Sequence, residues 1–261
     1  MGAVVAVVAV VAVVLTGCGG DAAGPDLRPD TPQPSSTSTR AADLSGADLW
    51  LSFEEETLGY DGATAYPDAA GGPGVGRVLV ASGGAVRPAA GADDSAVSIA
   101  FPAPCRAVSG CPRGLVEVPP TRSLDAGTDD FEFGATVWLA ADQATGASNI
   151  VQKGRFGSGG GQWKLQVDSE AGFPSCQVRS GDEVLVVRSD TTVADSAWHR
   201  VVCRRDGEGL AITVDGSVAR RAGATGSVTN DEPIRVGSPG LGDDDDQFHG
   251  RVDDVYVRID R

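Results

Sequence analysis

Lysine is nearly missing from this sequence: only Lys153 and Lys164 occur, and arginine supplies almost all the positive charge. Thirty-six acidic residues stand against 21 Lys and Arg, for a formal charge of −15 at pH 7. So acidic a chain has no basic stripe with which to release counterions from a polyanion. That argues against nucleic acid and anionic membrane surfaces as partners. Aromatics are scarce too, at 5% of residues. Only His199 and His249 represent histidine, and no serine sits in a Gly-x-Ser-x-Gly context, so a triad hydrolase has no nucleophile signal. No Cys-x-x-Cys occurs, which weighs against a zinc or redox site. The longest apolar run, Ala3 to Leu15, falls short of the roughly 20 residues a membrane-spanning helix requires.

That run has the size of the apolar core of a signal peptide, and Leu15-Thr16-Gly17-Cys18 follows it directly. The segment resembles the lipobox of bacterial lipoproteins. The resemblance implies that residues 1–17 are removed and that Cys18 carries diacylglycerol. One departure is that no Lys or Arg precedes the run. The chain is thus expected at the extracytoplasmic face of the cell membrane, attached through a lipid anchor. Cys105, Cys111, Cys176 and Cys203 remain, an even number in an exported chain, which reads as two disulfides with three possible pairings.

Residues 18–43 are rich in Pro, Ser, Thr and Gly and lack aromatics, so they cannot bury enough apolar area to fold. As a flexible coil they span on the order of 25–30 Å, a tether. From Asp48 the pattern changes to apolar residues at every second position. Leu49, Leu51 and Phe53 alternate; so do Val97, Ile99 and Phe101, and Phe131, Phe133, Ala135, Val137 and Leu139. Further runs follow at Trp163–Val167, Cys176–Val178, Val184–Val186, His199–Cys203, Leu210–Val214 and Val255–Ile259, with Asp206-Gly207 and Asp215-Gly216 as turns. Period two repeated this often predicts an antiparallel β-protein with one face of each strand buried. Between Thr57 and Ala96 only Arg77–Ala81 reads as a strand. Residues 44–261 suit one all-β, antiparallel two-sheet sandwich with its sheets about 10 Å apart.

Three segments resemble the laminin-G-like, concanavalin A-like jelly-roll family. They are Phe131-Glu-Phe-Gly-Ala-Thr-Val-Trp-Leu139, the stretch from Asp195 through Trp198-His199 to Val214-Asp215-Gly216, and Phe248-His-Gly-Arg-Val-Asp-Asp-Val-Tyr-Val257. Leu49-Trp-Leu-Ser-Phe-Glu54 resembles the opening strand, and Asp68-Ala-Ala-Gly71 a loop near it. The resemblance covers residues 44–261. It implies that Cys176 pairs with Cys203 on strands lying side by side, leaving Cys105 for Cys111. It implies core positions for Trp138 and Trp198. It also implies a structural calcium near the first and last strands, with Glu54, Asp68 and Asp253 at the matching positions; a hard cation wants such oxygen ligands.

The family gives function poorly, because one sandwich serves lectins, adhesion modules and glycosidases. Its glycosidases carry Glu-x-Asp-x-x-Glu on one strand, and nothing here fits that pattern. Glu54-Glu55-Glu56 and Asp253-Asp254 are consecutive, so their side chains alternate between faces unless a bulge intervenes. Asp243–Asp246 reads as a solvated loop or a second calcium candidate. Trp50, Trp163, Tyr60 and Tyr66 read as packing residues rather than a sugar platform, and both histidines as structural. These observations together predict a membrane-anchored extracellular binding or adhesion module for a glycan or cell-surface protein, with no catalytic residues. A glycan-active enzyme, glycosidase or lyase, is the alternative.

Overall fold

A computed structural model describes residues 44–261, apart from 60–62, 94, 95, 108, 156 and 158. The leader, Cys18, the tether and Tyr60 lie outside the described residues. The chain folds into two antiparallel sheets, with strands numbered β1 to β17 in chain order. An eight-stranded sheet holds β1 (Leu49–Leu51), β5 (Arg87–Ala90), β6 (Val97–Ala100), β8 (Asp130–Trp138), β13 (Trp198–Asp206), β14 (Gly209–Val214), β15 (Ser217–Ala222) and β17 (Arg251–Asp260). A nine-stranded sheet holds β2 (Thr57–Leu58), β3 (Thr64–Pro67), β4 (Val75–Ala81), β7 (Arg113–Val118), β9 (Ser148–Lys153), β10 (Gln162–Val167), β11 (Pro174–Ser180), β12 (Glu183–Arg188) and β16 (Ile234–Val236). The first runs β15-β14-β13-β8-β17-β6-β5, with β1 also on β17, and the second β12-β11-β10-β9-β16-β7-β4-β3-β2.

The alternation in the sequence turns into one core between the sheets. Phe131, Phe133, Ala135 and Val137 of β8, Val201 and Cys203 of β13, and Leu210 and Ile212 of β14 face inward and are fully buried. Opposite them lie Trp163 and Leu165 of β10, Val151 of β9 and Val178 of β11. The Trp163 ring sits 4.4 Å from Phe133, which stacks on Phe131 at 5.5 Å. Removing so large a buried ring costs roughly 3–5 kcal/mol. Gly134 of β8 leaves room for Tyr256, since a Cβ there would lie 2.6 Å from the Val201 carbonyl and 3.0 Å from the tyrosine ring.

Several expectations need correction. Between Thr57 and Ala96 the chain forms β2, β3 and β5 besides β4. β2 and β5 are sheet edges, exposed and without a buried phase to read, and Pro88 is tolerated on β5 for that reason. β7 and β9, near the centre of the nine-stranded sheet, lack clean period two, and β16 between them is only three residues long. In β9 a register shift opposite Leu165/Gln166 puts Ile150 and Val151 side by side, both buried. On β12 the phase is inverted: Leu185 and Val187 face the core, whereas Val184 is 44% exposed. Trp138 and Trp198 are not core residues. They pair across β8 and β13 on the solvent side of the eight-stranded sheet, half-buried, with the Arg251 guanidinium 4.5 Å over Trp138.

The cysteines join as Cys105–Cys111 and Cys176–Cys203. Cys176 on β11 and Cys203 on β13 do not lie side by side in one sheet; they face each other across the sandwich. Their Cα atoms are 5.8 Å apart, against about 10 Å for packed sheets. The bond therefore draws the two layers together at this point.

Candidate functional site

The side of the nine-stranded sheet away from the core is polar in a continuous row. Following the register, Arg77 of β4 lies beside Glu117 of β7, then Arg235 of β16, Gln152 of β9, Lys164 of β10 and Gln177 of β11. Each alternates in sequence with a core residue such as Val116, Val151, Leu165 or Cys176. Strands about 4.8 Å apart give this row a length of roughly 25 Å. Gln162 flanks it beside Arg179, and Gln166 flanks it beside Asn149. An outward face is normally exposed, yet Gln152 is 3%, Gln162 4% and Asn149 2% exposed.

A loop before β17 causes this burial. The buried Gln247 amide anchors it, donating to the carbonyls of Gly114, Gly237 and Phe248 and accepting from Gly114 N–H. The Arg113 guanidinium donates to the Asp243 and Asp245 carbonyls. Asp243 accepts from Gly110 N–H at 3.0 Å, inside the Cys105–Cys111 loop. Asp245 accepts from Gly242 N–H at 2.8 Å and from Arg155 at 3.0 Å. The Asp246 carbonyl accepts from Asn149 N–H. Asp243, Asp245 and Asp246 thus tie this loop in place, with Asp245 and Asp246 as a wall, while Asp243 and Asp244 stay exposed to solvent.

Sheet and wall border an open cavity of about 310 Å³. Gln152, Gln162 and Lys164 form its floor, Asn149 and Arg155 its ends, and Pro239, Asp245 and Asp246 its wall. Arg155 is shared with a second cavity of about 230 Å³, lined by Gly160, Gly161 and Arg179. The Gln152 and Gln162 amide nitrogens both donate to the Gly154 carbonyl, at 3.0 and 3.2 Å, and Gln162 Oε1 accepts from Gln177. Burial pulls the Lys164 ammonium below the usual lysine range, with Asp246 and Asp168 opposing. Burial pushes the Asp246 carboxyl up, with Lys164 opposing and Asp245 adding to the rise. Among the described residues no hydrogen-bond acceptor meets Lys164 Nζ, and no ion pair joins it to Asp246. Asn149 Nδ2 is buried without a partner. Such a site is built to make hydrogen bonds.

Sequence reading missed this site because a solvated strand face and a binding face share one pattern. The available signal was residue type: Gln152, Gln162, Gln166 and Gln177 hold outward positions that long charged side chains usually take.

The structure does not gather Glu54, Asp68 and Asp253 into one ligand set. Asp68 directly follows β3, and its Oδ1 accepts from Trp50 and Ala70 N–H at 2.9 and 3.0 Å, fastening the loop after β3 to β1. Glu54 accepts from Val97 N–H at 2.9 Å. A bulge does intervene in β17, between Asp253 and Tyr256, and Asp254 takes φ +47° there. Asp253 is 4% exposed. Burial, together with the charges of Asp254 and Glu54, pushes its carboxyl up to about 7. Glu54 and Asp253 share a neighbourhood that Asp68 does not join. Among the described residues, no group of three or more His, Cys, Asp and Glu side chains is placed to hold a metal.

Both histidines have structural partners. His199 Nδ1 lies 2.6 Å from Asp215 and Nε2 2.9 Å from Asp195, while His249 Nδ1 donates to the Pro102 carbonyl. Trp50 Nε1 donates to Asp254, Tyr66 packs edge-on against Phe53, and Trp163 is core. None of these three aromatics faces the polar groove.

Solved structures share the fold. The binding domain of Paraclostridial Mosquitocidal Protein 1 superposes with a TM-score of 0.58 at 13% identity, over 84% of this chain and 50% of that one. Botulinum neurotoxin type C, whose cell entry depends on interaction with two ganglioside molecules, gives 0.54 at 14% identity, over 83% and 49%. Domain 4 of AbnA, an extracellular arabinanase from Geobacillus stearothermophilus in complex with arabinotriose, gives 0.57 at 12% identity, over 81% and 91%. The chain spans about half the length of the toxin binding domains. No curated protein sequence matches it. Residues 114–258, more than half of the chain, match the laminin G family described as the concanavalin A-like lectin/glucanases superfamily, and to that family this chain belongs.

Proposed function

We propose that this chain is a glycan-binding module, held at the extracytoplasmic face of the membrane by a lipid on Cys18, and that it binds without turning its ligand over. The observation that carries the reading is the row of buried and half-buried polar side chains, with Gln152 and Lys164 lining a cavity beside Asp245 and Asp246 and Gln177 next to Lys164 in register. Sugar hydroxyls both donate and accept, and a side-chain amide offers both roles from one rigid group. The arabinotriose held by the arabinanase domain and the ganglioside dependence of the neurotoxin support a carbohydrate partner on this fold, by analogy.

Binding without cleavage fits the state of the carboxylates. Glycoside hydrolysis needs two of them flanking one bond. Asp245 is engaged by Arg155, Glu117 by Arg235, and Asp168 by Arg188. Among the described carboxylates lining the cavity Asp246 alone has no ion pair, and one acid does not make a pair. Calcium is a separate proposal, at the β17 bulge with Glu54 and Asp253 as ligands and without Asp68. Two carboxylates supply part of the six to eight oxygens calcium takes, and backbone carbonyls and water supply the rest.

The full chain, purified in detergent, is screened on a glycan array and titrated calorimetrically with the glycans found. Saturable binding is expected, with no release of reducing ends. Gln152→Ala and Gln177→Ala should each weaken it about 2–10-fold, the value of one lost hydrogen bond. Unchanged affinity in both variants places the site elsewhere. Product release that Asp246→Asn abolishes makes the chain an enzyme. For the anchor, Cys18→Ala should lose fatty-acid labelling in cells; retained label removes the lipid from Cys18.

A further inference from the structure

Charge in the groove is balanced. Arg155 and Lys164 face Asp245 and Asp246 in the same cavity, two of each sign, within a chain of net charge −15. One pair is closed: Arg155 meets Asp245 at 3.0 Å. The other is open. Lys164 and Asp246 feel each other's charge across the cavity without forming an ion pair.

Two unspent groups therefore face one space: a donor, Lys164 Nζ, and an acceptor, the Asp246 carboxylate. An anionic ligand would satisfy the donor but would lie against Asp246 and Asp245 in a partly desolvated site, where like charges repel strongly. A cationic ligand meets the reverse problem at Lys164 and Arg155. A neutral hydroxyl solves both, because it donates and accepts from the same oxygen. Two adjacent hydroxyls can accept from the ammonium while donating to the carboxylate. Among the described residues no aromatic side chain lines the cavity. Recognition is then by hydroxyl pattern rather than by stacking on a ring face.

We propose that the groove selects an uncharged saccharide, with a vicinal pair of hydroxyls bridging Lys164 Nζ and the Asp246 carboxylate. The proposal rests on the reading of this groove as a glycan site, and it names the class of glycan.

The test uses the full chain in detergent and paired probes that differ in charge. Arabinotriose, lactose and galactobiose form the neutral set; 3′-sialyllactose and digalacturonate form the acidic set. Binding is expected in the neutral set, with affinity changed by less than about twofold as salt rises tenfold, since no net charge is screened. Lys164→Met and Asp246→Asn should each weaken it by about tenfold or more. Melting temperature is read for each variant. Where Lys164→Met melts early, Lys164→Arg, which keeps the charge but moves the donors, should weaken neutral binding too. Binding confined to the acidic set, lost with salt and tightened by Asp246→Asn, overturns the neutral class while leaving the glycan reading intact. Neutral binding indifferent to the Lys164 and Asp246 variants overturns the bridge. Failure of both sets to bind overturns the glycan reading and this inference with it.

Discussion

Lys153 Nζ lies 2.8 Å from Asp125 Oδ1 with its own side chain only 1% exposed. β9 delivers this lysine to the core side of the nine-stranded sheet, opposite Trp163. Asn230 completes the ammonium's shell with its backbone carbonyl and its side-chain Oδ1. All three donors are therefore used, which is the condition under which a buried charge is tolerated. Asp125→Ala leaves that charge with neutral partners only, and should cost about 3–5 kcal/mol. Lys153→Met removes charge and keeps length, and should cost less. Chemical denaturation of both variants reads the difference, and a loss under about 1 kcal/mol for Asp125→Ala would show that the pair is not a brace.

His199 is a second charged junction, formed with Asp195 just before β13 and Asp215 at the β14–β15 turn. Burial pulls its imidazolium down, but hydrogen bonds to both aspartates and their charges outweigh that, and the group stands above 6.5. A raised histidine contributes stability that is whole below pH 6.5 and is lost as pH climbs through the folded value. Asp195 is held below 3.8, so its share is present above that pH and is lost on acidification. The junction should be strongest between these limits. His199→Ala should narrow its deficit in melting temperature against the parent chain as pH rises from about 6 to about 9. A deficit constant over that range would mean the imidazole acts by packing alone.

The two disulfides should separate stability from binding. Cys176–Cys203 closes a sequence separation of 27 and draws the sheets together, so its removal by paired Cys→Ser changes should cost about 3–4 kcal/mol. Cys105–Cys111 closes a separation of 6, worth about 2 kcal/mol. That short loop donates Gly110 N–H to Asp243 in the loop that carries the wall of the groove. Its loss should therefore weaken ligand binding more than the loss of the longer bridge weakens it. Denaturation midpoints and ligand titrations on both paired variants decide the matter. An unchanged affinity without Cys105–Cys111 would detach that loop from the site.

If Glu54 and Asp253 bind calcium at the β17 bulge, the ion should raise the melting temperature. Mass action gives about 2.7 kcal/mol at a hundredfold excess over the dissociation constant. Asp253→Asn should abolish the rise. Asp68→Asn, which keeps an accepting oxygen for Trp50 and Ala70 N–H, should leave it in place. Equal melting in millimolar calcium and in excess chelator would empty the site.

The eight-stranded sheet was the more legible of the two. Along β13 one face meets the core and the other is half-solvated, and along β8 and β14 apolar core residues alternate with small or polar ones, so Phe131, Val201 and Ile212 stand out against their neighbours at period two. The nine-stranded sheet hides itself. On its outward face Asn149, Gln152 and Gln162 are buried like core residues, and its inward pattern is broken by the shift beside Ile150 and Val151. The groove could not be read from spacing at all. Arg77, Glu117, Arg235, Gln152, Lys164 and Gln177 come from six strands scattered over a hundred and more positions, and only strand register sets them in a row. The disulfide partners were implied by family resemblance. That they belong to facing sheets depends on the path of the chain between them.

The scarcity of lysine has a practical side. Of the two side-chain amines in the sequence, Lys153 has every N–H committed inside the fold, whereas Lys164 stands in the groove with none committed and with its proton held less tightly than usual. An acylating reagent that targets unprotonated amines should therefore modify Lys164 in the native state and reach Lys153 only after unfolding. Acylation at that one position becomes an occupancy gauge, because a saccharide seated against the amine shields it and slows the reaction in proportion to the fraction bound. Peptide mass mapping of the acylated chain then reports binding from the protein's own chemistry, with no tag introduced.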